Sequence, residues 1–370
     1  MAPKVAHKKS RKHRNVQVPI HPPKKDDRGI DCSQAVVFSD KAPLSHDHAA
    51  GSDDYRAVWT YVPEERDAAK PTLLVYFHGH YTHVLVDSGG KPQRPHWWKE
   101  DEWHPGAKPS DGGGDDAGNY FQLGKTADSA RQKPIVLCPE VGQGVQNVKP
   151  GSLESRGALA ECITDALEHL NGPGKNGLTK PSGCPSGARY LDPVPSLDAV
   201  NRLYLAGHSA GGAPLAKAAV SDLVLSASTP ADLWLLDCTY HWGMDEYVEF
   251  CTKLDKQGKL GYGPDKSRLV AIAYRDTGTD FHTPKKGDPK KLDRLTDLIK
   301  KINKQGLGAG KVKELSYGRP DDPDISVIKS DLQNGLVAIR VKDSPSHAKS
   351  PPLHFRIPIE FIPILLETAA

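Results

Sequence analysis

From about residue 55 onward, short apolar runs alternate with runs of helical spacing, and this alternation constrains the fold more than any other feature of the chain. YRAVWTYV alternates as a strand does. PTLLVYFHG, PIVLCPEVG, NRLYLAG, DLWLLDCTY, SRLVAIAYRD and GLVAIRVKD are apolar runs of strand length. Between them, ESRGALAECITDALEHL, GGAPLAKAAVSDLVL, MDEYVEFCTKL and KKLDRLTDLIKKINKQG place apolar residues at helical spacing, and the first stops at NGPG. A last apolar segment, IPIEFIPILLETAA, closes the chain. Continuous apolar strands are buried on both faces. Their short-range alternation with helices predicts an α/β fold: a single doubly wound, mostly parallel sheet with helices on both faces.

The chain of 370 residues could hold one large domain or two ordinary ones. Neither an internal repeat nor a second boundary is visible, so one domain is expected over residues 51–370. Two stretches interrupt the rhythm, about 84–120 and 171–198, and are too long for simple connectors. They are expected to be loop insertions, in keeping with 34 Gly and 31 Pro. The first carries Trp97, Trp98 and Trp103, which would cap an acyl chain, stack on a sugar or pack the insertion onto the domain.

Residues 1–50 read as a disordered basic tail and lead-in. Eight Lys or Arg and no Asp or Glu fall in the first 25 residues, which leaves 41 basic against 46 acidic groups in the remainder. Such a tail suits an anionic surface, but nothing in the body supports nucleic-acid binding, and none is expected. No run approaches 18 apolar residues, so no membrane span is expected. The basic N-terminus has no apolar stretch behind it. That points to a cytoplasmic protein, or one exported without a standard signal. The six cysteines contain no CxxC pair and read mostly as buried thiols.

The strongest chemical signal is GHSAGG, Gly207 to Gly212, a G-x-S-x-G match with Ser209 at its centre. An apolar strand leads in and a helix leads out. A strand-to-helix turn this sharp strains the central residue, and Gly207 and Gly211 remove side chains that would clash. The helix start supplies N–H groups and partial positive charge beside the serine. A serine needs a base, and the base needs an orienting acid. After Ser209, strand ends supply Asp237 in DLWLLD, then Asp276 and Asp280 in YRDTGTD. His347 follows a strand in DSPSHAKS, whereas His282 and His354 lie less cleanly beyond strand ends.

With LLVYFHGH, LYLAGHSAGG and SPSH as anchors, residues 50–370 resemble an α/β-hydrolase-fold serine hydrolase of the esterase or lipase kind. The order Ser, Asp, His along the chain is the order of that fold. The resemblance implies an acyl-enzyme on Ser209 with His347 as base. It also implies an oxyanion hole from the N–H groups of Ala210 and of the Gly79–His80 region. Asp237 is the preferred acid, because it ends an apolar run where a charge requires a partner; Asp280 is the alternative. No cofactor or metal is required.

The segment HGHYTH offers a competing reading, a zinc hydrolase using His78, His80 and His83. Its H-x-H-x-x-H pattern resembles a metallo-β-lactamase-type signature, but Thr82 stands where an Asp would precede the last histidine. The expected substrate is a carboxylic ester, small or polymeric. An amide or peptide bond remains open, since the same triad cleaves both, as does a non-catalytic binding protein of the same fold.

Overall fold

The computed structural model describes residues 34–38, 57–63, 66–67, 69–79, 123–139, 141–143, 148–149, 151–171, 194–226, 229–238, 243–274, 294–317, 329–332, 334–343 and 353–369. Their central feature is a nine-stranded sheet. In chain order its strands are β1 (Gln34–Phe38), β2 (Ala57–Tyr61), β3 (Thr72–Phe77) and β4 (Ile135–Pro139). After a small antiparallel pair, β5 (Gly142–Gln143) and β6 (Val148–Lys149), come β7 (Arg202–His208), β8 (Ala231–Leu236) and β9 (Leu269–Tyr274). Last are β10 (Lys313–Tyr317) and β11 (Leu336–Asp343). The spatial order is β1-β2-β4-β3-β7-β8-β9-β11-β10. All pairings are parallel except the two that β2 makes, with β1 and β4.

The α-helices that accompany the sheet include α1 (Leu123–Ser129), α2 (Ala158–Asn171), α3 (Gly212–Ala219), α4 (Asp222–Ser226), α5 (Met244–Lys256), α6 (Arg294–Lys304) and α7 (Leu353–Glu367). The period-2 alternation of the strands sorts them onto two faces. Leu73, Val75, Leu203, Leu205, Leu233 and Leu235 pack with α2 to α6. Leu74, Tyr76, Tyr204, Ala206, Trp234 and Leu236 pack with α1 and α7. Apolar residues on both faces produce the unbroken runs seen in the sequence, and the expected doubly wound sheet is what forms.

Some boundaries differ from expectation. β1 lies inside the stretch 1–50 assigned to the tail and lead-in, so the sheet begins before residue 51. The run GGAPLAKAAVSDLVL is two helices, because the chain breaks at Val220 and Ser221, whose hydroxyl bonds back to the Ala218 carbonyl. The last apolar segment is helical in spite of Pro358 and Pro363. Burial of Ile357, Phe361, Ile362, Leu365 and Leu366 outweighs the roughly 3 kcal/mol that an interior proline costs a helix. No helix among the described residues is long and apolar enough to cross a membrane. Cys138, Cys162, Cys238 and Cys251 are buried, and burial raises the Cys162 thiol to about 12.

A buried charge cluster ties the N-terminal ends of the central strands together. Asp232, fully buried in β8, accepts from Arg202 Nη1 at 2.8 Å and from Arg268 Nε at 2.8 Å. Arg202 also donates to the carbonyls of Gly263 and Lys266, and Arg268 donates to those of Leu332 and Thr368. The carboxylate is thus shared by two guanidinium groups that reach three separate segments, at the end of the sheet opposite Ser209.

Candidate active site

β7 ends in a turn of unusual backbone geometry. His208 is extended (φ −120°, ψ 138°), Ser209 is left-handed (φ 53°), and Gly211 and Gly212 are helical. A left-handed residue that is not glycine costs about 1–2 kcal/mol and persists only where its surroundings over-determine it. Ser209 is also the one partly exposed residue in the stretch 202–216; every other is buried. The strain therefore brings one hydroxyl out of an otherwise sealed strand–helix junction.

The glycines around it are required by space. A Cβ on Gly211 would stand 2.2 Å from the Phe77 carbonyl oxygen, and one on Gly207 would stand 2.9 Å from that of Gly211. Gly212 was not singled out from the sequence, yet a Cβ there would stand 2.5 Å from the Cys238 carbonyl oxygen. The second glycine of the GG pair was the available signal. These contacts press the start of α3 onto the ends of both β3 and β8.

Gly79 meets the serine from the other side. Its Cβ, if present, would lie 2.8 Å from Ser209 Cβ and 3.3 Å from Oγ. His78, fully buried, holds this turn through its ring: Nδ1 lies 2.9 Å from the Gly79 carbonyl oxygen, and the Val141 N–H donates to Nε2 at 3.3 Å. Nε2 therefore accepts and Nδ1 donates, which is the neutral tautomer.

The register puts three expected site residues at one level. Phe77 pairs with Gly207, and His208 with Leu236. Counting on from these pairs, Gly79, Ser209 and Asp237 stand side by side at the C-terminal ends of β3, β7 and β8. Asp237 is buried and left-handed (φ 48°), and its N–H donates to the Ile272 carbonyl at 2.6 Å. Among the described residues, only Lys133, Ser209 and Asp237 combine a side chain with positive φ. The structure brings Ser209, Ala210, Gly79 and Asp237 together. His80, His83, Asp276, Asp280, His347 and the three insertion tryptophans lie outside the described residues.

Such a site presents a partly exposed hydroxyl beside the N–H groups of a helix start, a position that favours negative charge. For metal, His78 is a poor ligand, since both ring nitrogens engage the backbone. Among the described residues no three His, Cys, Asp or Glu side chains gather as a metal site.

No family model matches the chain, and neither does any curated protein. Solved structures with a similar course include a feruloyl esterase module from Clostridium thermocellum complexed with sinapinate. It is 9% identical, covers 95% of this chain and 91% of its own, and has a TM-score of 0.38. Esterase B from Lactobacillus rhamnosis is 12% identical over 90% of this chain and 86% of its own, with a TM-score of 0.36. An esterase from Thermogutta terrifontis is 10% identical over 88% and 90%, with a TM-score of 0.33. The assignment of fold rests on the sheet itself. With a mostly parallel, doubly wound sheet and a G-x-S-x-G turn joining its central strand to a helix, the chain has the α/β-hydrolase fold.

Proposed function

We propose that the chain is a serine hydrolase that cleaves a carboxylic ester through an acyl-enzyme on Ser209. The observation that carries this reading is the left-handed, partly exposed Ser209 set between buried neighbours, with Gly79 against its side chain and Asp237 at its level. Strain of this kind gathers at functional positions. In the proposed reaction, Ser209 Oγ attacks the ester carbonyl while His347 takes its proton. The N–H groups of Ala210 and of the Gly79–His80 region hold the negative charge on the carbonyl oxygen. His347 then gives the proton to the departing alkoxide. Water attacks the acyl-enzyme by the same route, releasing the acid and restoring Ser209. Asp237 orients His347 and stabilises its cationic form.

A fluorophosphonate probe tests the reading directly. The parent chain should be labelled and should hydrolyse members of an ester panel, and Ser209→Ala should do neither while keeping its fold. Full hydrolysis by Ser209→Ala would remove the serine mechanism. An amide panel run beside the esters separates esterase from amidase.

A further inference from the structure

The strained turn must be held by something, and one of its supports comes from a helix 35 residues away. Tyr247 of α5 is buried, and its hydroxyl donates to the Gly212 carbonyl at 2.7 Å. The Gly212 N–H in turn donates to the carbonyls of Ser209 and Ala210. A two-step chain of hydrogen bonds therefore runs from the phenol to the carbonyl of Ser209. That carbonyl and the Ala210 N–H belong to one planar peptide, so fixing the first fixes the direction of the second.

The surrounding packing keeps the phenol in place. A Cβ on Gly243, at the start of α5, would stand 2.2 Å from Ala216 Cβ, so α3 and α5 touch at backbone distance. Lys217 and Glu246 add an ion pair at 2.7 Å on the same turn. Burial, with Cys238 and Glu246 nearby, pushes the Tyr247 hydroxyl well above its usual range, so it stays a donor.

We propose that Tyr247 is a positioning residue for the Ser209 site: through Gly212, its hydroxyl sets the peptide that carries the Ala210 N–H. This rests on the reading of Ser209 as the nucleophile. Tyr247 touches no substrate. Its effect is the aim of an oxyanion donor, so it should appear in turnover and not in binding.

The experiment measures kcat, KM and the rate of fluorophosphonate labelling in Tyr247→Phe. It is run well below the melting temperature, with folding followed by circular dichroism. On the order of a ten- to hundredfold loss is expected in kcat and labelling, with KM unchanged, as small misplacements at a reacting centre produce. Tyr247→4-fluorophenylalanine fills the volume of the hydroxyl without a donor and should lose as much; it also carries the test if the Phe variant does not fold. Tyr247→4-aminophenylalanine restores a donor and should recover most of the rate. Glu246→Gln breaks the neighbouring ion pair and should leave kcat within about twofold of the parent, as expected for a partly exposed pair. Parental kcat in the folded Phe or fluoro variant overturns the proposal and leaves the serine mechanism standing. An unlabelled parent chain, or a fully active Ser209→Ala, overturns both.

Discussion

Ser209 and Asp237 leave adjacent parallel strands at the same level, and both do so in the left-handed region, at φ 53° and 48°. Two strained residues side by side at the C-terminal end of a central strand pair are not what close packing alone selects. Asp visits this region with some ease, but Ser does so rarely. The start of α3, which follows Ser209, is pressed onto the ends of β3 and β8, as the Gly211 and Gly212 contacts record.

That strain gives a signed prediction for stability. Ser209→Gly should be more stable than Ser209→Ala by about 1 kcal/mol, because glycine adopts the left-handed region without its steric cost. Both should be inactive. Chemical denaturation of the pair measures the difference. An equal or reversed order would mean that the turn is not strained in solution.

Gly79→Ala should fold but turn over slowly. Its new methyl would stand 2.8 Å from Ser209 Cβ, which moves only with the backbone of the turn, and 3.2 Å from the His208 carbonyl oxygen, so the turn itself must shift. Activity should fall on the order of a hundredfold, as a displaced reacting group does, with a moderate fall in melting temperature. Gly211→Ala is the contrast. Its methyl meets backbone far more closely, the Phe77 carbonyl oxygen at 2.2 Å, so a larger loss of stability is expected. Activity assays and thermal melts on the two variants separate the effects.

Chelators should leave activity unchanged. His78 spends one ring nitrogen on the Gly79 carbonyl and the other on the Val141 N–H, so coordination there would break a buried backbone contact. Stoichiometric zinc in the purified protein, lost together with activity on dialysis against a chelator, would restore the three-histidine reading.

Much of this was legible in the sequence, for a local reason. The strand runs declare themselves because both their faces are buried. GHSAGG is a short motif whose residue types can be recognised within a few positions, although its turn is held by Phe77, Cys238 and Tyr247 from elsewhere in the chain. What was not legible depends on distant pairing. KELSY is too mixed to read as a strand and becomes β10 only by lying against β11. Prolines 358 and 363 hide a helix that core burial stabilises. Tyr247 and Gly212 are 35 positions apart, and their hydrogen bond has no sequence signature.

Asp232, an unremarkable residue in ADLWLL, belongs to this illegible group. It compensates two buried arginines at the end of the sheet away from Ser209. Asp232→Asn leaves them without their carboxylate, and breaking a buried charge network of this kind costs about 3–5 kcal/mol. The melting temperature should fall by roughly 10 °C. Turnover at low temperature should be unaffected, because the cluster lies far from the turn. A parental melting temperature would show that the ion pairs contribute nothing net.

The acid of the proposed triad decides between two strand ends. Asp237 follows β8, is buried, and stands level with Ser209, one strand away. A buried carboxylate requires compensation, and an imidazole that becomes cationic in the transition state supplies it. The nearby Cys238 supplies no charge, since burial foremost, and then the charge of Asp237, raise its thiol far above its usual range and keep it neutral. Asp280 lies outside the described residues, and its sequence context, YRDTGTD, is Gly-containing and polar, where aspartate is an ordinary turn residue. Asp237→Asn should therefore cost on the order of 10⁴ in kcat, as loss of the orienting carboxylate does in serine proteases. KM should change little, and the labelling rate should fall in parallel. Asp280→Asn and Asp276→Asn should remain within about tenfold of the parent, because a turn aspartate does not set the imidazole tautomer. If Asp280→Asn shows the large loss and Asp237→Asn does not, the acid belongs to the sequence segment that follows β9. The left-handed backbone of Asp237 would then serve only to turn the chain from β8 toward α5.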